Sequence, residues 1–145
     1  MNEEKHGWNT LEDYLHVLQH VVDDDPFVIS HSSLSINTSS EAGDISGEIL
    51  CHGDIILDVT KHFEIVEYEG QLYARTVRYS YHARFEGGSD ILRYDNAHAD
   101  EGTGHGTTHH KHTFDGEHET ITDMGELDWP HLSEVLAEVR GLVWK

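Results

Sequence analysis

Cysteine is nearly absent. Cys51 is the only one in 145 residues, so no intrachain disulfide can form, and a reducing cytoplasm is the expected compartment. It stands in an apolar alternation with Ile49, where a buried, inert thiol is a more natural reading than a nucleophile. Long apolar runs are missing as well. The opening MNEEKHGWNT has no apolar core of a signal peptide, and nothing approaches the ~20 residues needed to span a bilayer. Positive charge is scarce too: nine Lys and Arg face 28 Asp and Glu, a formal charge of −19.

Two explanations of that imbalance compete. One is an acidic patch that meets a basic partner; the other is a solvated acidic coat, the habit of proteins adapted to a high-salt (halophilic) cytoplasm. The acids are scattered through every segment, and Asp and Glu dominate where Lys would normally sit. That distribution favours the coat, and net charge then says little about the ligand. Hydrophobic content is low, at 37%, but strongly periodic, and the length suits one domain over residues 1–145 with a single core.

Taken in order, Thr10 opens a helix, with Thr10 and Asp13 spaced as a capping box. Leu11, Tyr14, Leu15, Leu18, Val21 and Val22 make its apolar stripe, and the Asp23-Asp24-Asp25-Pro26 run stops it. From Phe27 the period becomes two. One strand is expected from Phe27 to Ile36, then a polar loop over 37–47. Ile49, Cys51, Ile55, Leu57 and Val59 share one parity around a bend at Gly53, and Phe63 and Ile65 lie in a third strand. Glu69-Gly70 is a tight hairpin turn. The longest candidate strand covers 71–85, with Tyr73, Val77, Tyr79, Tyr81 and Phe85 on one face and Arg78, Ser80, His82 and Arg84 on the other. Strands at 90–96, 109–114 and 117–122 follow, and Asp128-Trp129-Pro130 starts a final amphipathic helix. The expected fold is α+β: a single antiparallel sheet of about six strands with an N-terminal and a C-terminal amphipathic helix covering its apolar face.

Residues 75–112 gather what the rest of the chain lacks. They hold five of the nine Lys and Arg and six of the fourteen histidines, His82, His98, His105, His109, His110 and His112. Cations beside imidazoles suit a phosphate-bearing ligand or an acid–base site, whereas imidazoles alone would suit a metal. In an extended His109-His110-Lys111-His112, one face offers His110 and His112 about 6–7 Å apart, with His109 and Lys111 on the other. Phosphodiester cleavage needs a base for the attacking hydroxyl, an acid for the leaving oxygen and a cation for the transition-state charge. His110, His112 and an Arg would supply all three without a metal. Two readings stand beside this one. His105, His109, His110 and His112, completed by Asp95, Asp100 or Glu101, could bind zinc or nickel; or the cluster is surface decoration on a salt-adapted protein. Asp95 and Asn96 end a strand, where such residues usually cap turns. Their functional reading is that Asp95 orients a histidine of 109–112 and Asn96 donates to an anionic oxygen.

The Tyr79-x-Tyr81 strand, the Arg93-Tyr94-Asp95-Asn96-Ala97 run and the closing His109-His110-Lys111-His112 resemble the TumE family, the toxin halves of bacterial and archaeal toxin–antitoxin pairs. The resemblance implies a small α+β cytoplasmic protein neutralised by a helix-turn-helix antitoxin, with a translation-inhibiting or ribonuclease-like activity. Carried over by position, it marks Arg93, Asp95, Asn96, His109, His110 and His112. The combined expectation is a metal-independent, RNA-directed phosphodiesterase. His110 and His112 form its acid–base pair, Asp95 orients one of them, and Arg93 or Arg84 steadies the transition state. Arg78, His82, Arg84, Asn96, His109 and Lys111 bind substrate around one cleft. A zinc-type metal domain and a non-catalytic protein held by an antitoxin-like partner are the alternatives, and a homodimer is left open.

Overall fold

The computed structural model describes residues 6–96, 109–115, 118–124 and 128–143. In chain order these hold β1 (Asn9–Thr10), α1 (Leu11–Asp24), β2 (Val28–Ser30), β3 (Ser35–Thr38), β4 (Ala42–Cys51) and β5 (Ile55–Tyr68). Then come β6 (Gln71–Phe85), β7 (Asp90–Asp95), β8 (His109–Asp115), β9 (His118–Met124) and α2 (Leu132–Val143). The strands make one antiparallel sheet in the order β2-β4-β5-β6-β7-β8-β9, with β3 on β4 and the short β1 on the start of β6.

The expectation of an α+β sheet of about six strands covered by two amphipathic helices is corrected: among the described residues there is one large antiparallel sheet of nine strands, with only two short helices of 14 and 12 residues. Three local features explain the difference. The run read as one strand from Phe27 to Ile36 turns at His31–Leu34 and becomes β2 and β3. The polar stretch read as a loop contains β3's end and half of β4, whose inward positions there are Gly43 and Ile45, too few apolar side chains to announce a strand. Gly53 is no bend within a strand. With φ of 81° at Gly53 and 60° at Asp54 it makes the hairpin between β4 and β5. The Glu69-Gly70 turn joins β5 to β6 as expected, both residues having positive φ.

The core lies between the sheet and the helices. Ile45, Ile49, Leu57, Val59, Phe63, Tyr79, Tyr81 and Leu92 project from the strands to meet Leu18 and Val22 of α1 and Val135, Leu136 and Val139 of α2. Each such side chain contributes about 1.5–3 kcal/mol by leaving water. Thr10 caps α1, its hydroxyl accepting from the Asp13 N–H at 3.1 Å.

One irregularity in β6 sets up the site. His62 pairs with Arg78 but Phe63 pairs with Thr76, so Val77 is an extra residue and the pleat reverses there. Ala74 faces the core before the bulge, and Tyr79, Tyr81 and Ala83 face it after, while Val77 and Phe85 are exposed. The uniform aromatic face expected for residues 73–85 is therefore two half-faces. Asn96 closes the gap: its Oδ1 accepts from the Tyr79 N–H at 2.8 Å and its Nδ2 donates to the Val77 carbonyl at 3.0 Å.

A candidate acid–base site on the open face of the sheet

Alternation along β7 and β8 decides which side chains meet. Leu92 and Tyr94 point toward the helices, so Arg93 and Asp95 point to the opposite face. Across the ladder Arg93 pairs with His112 and Asp95 with His110, and β9 then sets Asp123 opposite His110 and Ile121 opposite His112. Antiparallel pairing thus brings Arg93, Asp95, His110 and His112 together, although 14 residues separate Asp95 from His110 in the chain.

His112 is the centre of the group. Its Nδ1 lies 2.6 Å from Glu119 Oε1 and its Nε2 lies 3.4 Å from Asp95 Oδ2. Each ring nitrogen thus faces a carboxylate oxygen, Glu119 within hydrogen-bond distance and Asp95 in a longer contact. The Arg93 Nη2 atom sits 3.4 Å from both ring nitrogens, so the guanidinium lies across the imidazole rather than bonding to one atom of it. Arg93 Nε is 2.9 Å from Asp95 Oδ2, yet makes no aligned hydrogen bond, so this pair is a close charge contact. His110 faces Asp123, Nε2 to Oδ1 at 3.3 Å, and the two imidazole centres are 6.3 Å apart. Asp95 and both histidines are each less than a tenth exposed, whereas Asp123 and Glu119 are open to water on the β9 side.

The remaining candidates lie elsewhere. Lys111 turns to the helix side, where its Nζ bonds Glu138 Oε2 of α2 at 2.6 Å beneath the Tyr94 ring. The Tyr94 hydroxyl donates to the same Glu138 carboxylate, and burial first, then that hydrogen bond, pushes Tyr94 up to about 12. His109 also faces the helices, bonded to the Tyr79 hydroxyl at 2.9 Å and stacked in line with Tyr79 and Trp129. His82, directly across the β6–β7 ladder from Arg93, and Arg84 share that face with the site, but each is engaged by other acids. His82 meets Asp90 at 2.5 Å, and Arg84 meets Asp58 and Glu48 at 2.9 Å each, the Asp58 hydrogen bond raising the guanidinium further above its ordinary value. Arg78 stands opposite His62 at the bulge. Asn96 serves the backbone of β6, as described above. His98, Asp100, Glu101 and His105 lie outside the described residues. Among the described residues no three His, Cys, Asp or Glu side chains are grouped to hold a metal ion.

Glu119 escaped the sequence reading. Placing a turn at Asp115-Gly116 gives the wrong partners. The observed pairing of Asp115 with His118 carries Glu119 opposite Phe114, on the same face as His112. The alternation Glu119-x-Ile121-x-Asp123 was the available signal.

The family model described as Toxin TumE matches residues 18–143, which include every residue of this group. The chain belongs to the TumE toxin family. No curated protein and no solved structure matches it. Membership in TumE makes a toxin the coarse function and implies an antitoxin partner. Among the described residues no helix is long and apolar enough to cross a membrane.

Proposed function

We propose that this TumE-family chain is a toxin that cleaves RNA by metal-independent acid–base chemistry at His110 and His112. The observation that carries the reading is the 6.3 Å separation of the two imidazoles beside Arg93 on one sheet face. A phosphate hydrogen-bonded to both rings at ~2.8 Å fits that gap. His112, its Nδ1 held by Glu119, gives up the proton on Nε2 as the acid; His110 takes the part of the base. The 2′-oxygen attacks phosphorus as His110 removes its proton. The bond to the 5′-oxygen breaks as His112 protonates that oxygen, and a 2′,3′-cyclic phosphate results. Arg93 offsets the charge that builds on the phosphorane oxygens. Asp95 and Glu119 are positioning residues, holding the His112 ring through its two nitrogens.

In this reading the substrate enters from the β9 side, where the rim is open. The acidic coat belongs to a salt-rich setting, in which charges are screened over ~3 Å at 1 M salt and RNA can approach. The partner is an antitoxin of the helix-turn-helix type that the resemblance implies.

Expression of the chain without its antitoxin tests the proposal. Growth arrest is expected, abolished by His112→Ala and by His110→Ala, with purified wild type active in excess chelator. Arrest that persists in both variants, or activity that needs added metal, would overturn it.

A further inference from the structure

A cavity of about 820 Å³ lies on the helix side of the sheet, between α1, β1, the first turn of α2 and the central strands β5 and β6. That volume is in the range of small-molecule sites. Residues 6–17, which form much of its wall, precede the span that matches the family. Its most unusual member is Lys61. The inward row of β5 runs Val59, Lys61, Phe63, Ile65, so an ammonium occupies a position whose neighbours along the strand are fully buried apolar residues. Its cross-strand partners are Ile45 and Tyr79, both also buried.

Lys61 makes no ion pair or hydrogen bond among the described residues; its Nζ lies 5.2 Å from the centre of the Tyr14 ring. Lys61 is partly buried, and an ammonium half-withdrawn from water without a counter-charge is destabilised until one arrives. In a chain with 28 carboxylates, none of the cavity's described lining residues is Asp or Glu. The second cation in the wall, Arg75, is already paired with Glu64 at 2.6 Å and stacks on Trp8. One positive charge is therefore left uncompensated, which fits a monoanion better than a dianionic phosphate. Trp8, Val21 and Leu132 add apolar wall, and Tyr14 and Thr76, bonded to each other at 2.6 Å, put two hydroxyls near the ammonium. Nearby on the same sheet face, the buried Tyr81 hydroxyl has no hydrogen-bond partner among the described residues.

We infer that this cavity binds a small apolar or aromatic monocarboxylate, its carboxylate paired with Lys61 and its body against Trp8, Val21 and Leu132. The site is separate from the sheet face that carries His110 and His112, so the two readings stand or fall independently.

Calorimetric titration at pH 7 with indole-3-acetate and octanoate, against their neutral amides, tests it. Each carboxylate is expected to bind at least ~10-fold tighter than its amide, and Lys61→Met should remove that preference while the protein stays folded by thermal melting. The Lys61 amine, followed by carbon NMR at its ε-methylene, should titrate at higher pH with indole-3-acetate bound, because a bound carboxylate favours the ammonium. Acid and amide binding alike, a preference that survives in Lys61→Met, an unmoved Lys61 titration, or no binding of either carboxylate at millimolar concentration would each overturn the inference.

Discussion

His112 and Asp95 sit diagonally on adjacent strands, Nε2 to Oδ2 at 3.4 Å, with less than a tenth of either side chain open to water. A carboxylate held that close and that dry fixes the direction of the ring. On the far side of the imidazole Glu119 does the same at 2.6 Å. Glu119 thus fixes the ring through Nδ1, while the longer contact to Asp95 leaves the Nε2 side as the one from which a proton can pass to one defined oxygen.

Removing one clamp should cost activity more than stability. Asp95→Asn and Glu119→Gln each preserve shape and are expected to lower RNA cleavage by ~10²-fold. Circular dichroism should show both still folded. Measured kcat should fall while KM stays near its original value, since neither side chain is assigned a substrate contact.

Lys111 is the matched control on the opposite face. Lys111→Met breaks the bond to Glu138, and a partly exposed pair of this kind contributes about 0.5–1 kcal/mol. Urea unfolding should register that loss, with cleavage and growth arrest unchanged.

Asn96 should behave as a structural residue. Asn96→Ala leaves the Tyr79 N–H and the Val77 carbonyl without their partners at the bulge. A buried group so exposed costs about 1–3 kcal/mol. Hydrogen exchange at Tyr79 should speed up, and activity per folded molecule should be retained.

Lys61 gives the fold a pH dependence of definite sign. Burial lowers its amine from the ordinary 10.5 to about 8. Between those values the unfolded chain holds a proton that the folded chain has released, so stability rises with pH across the window. Below pH 8 the whole penalty of the partly buried ammonium is present. Cys51, Tyr14 and Tyr94, all pushed up to about 12 by burial, act in the reverse direction above their unfolded values. The Lys61 contribution is therefore the difference from Lys61→Met, measured by urea unfolding. That difference should narrow as pH climbs from 8 toward 10.5.

Much of the candidate site's geometry was legible because strand alternation is a local rule. The spacing in His109-His110-Lys111-His112 is enough to put His110 and His112 on one face and Lys111 on the other, and the pairing of 90–95 with the preceding strand follows from its turn. What escaped the sequence was non-local. The bulge at Val77 reverses the pleat of β6 and depends on a register shift against β5. Glu119 reaches His112 only through the register of the β8–β9 hairpin. The strand count failed where β3 and the first half of β4 carry Ser, Asn and Gly in place of apolar residues, because their pairing is held by neighbours and leaves little mark in composition. Arg84 and His82 looked free to bind a ligand, yet the acids that engage them come from β4, β5 and the start of β7.

The central claim is that two imidazoles and an arginine cleave RNA through its own 2′-hydroxyl. Mass spectrometry of the RNA ends released by purified protein in excess chelator measures this directly. The expected products carry 2′,3′-cyclic phosphate or 3′-phosphate on one side and a 5′-hydroxyl on the other, and disappear with His112→Ala. Ends bearing 3′-hydroxyl and 5′-phosphate, or no new ends at all, would contradict it.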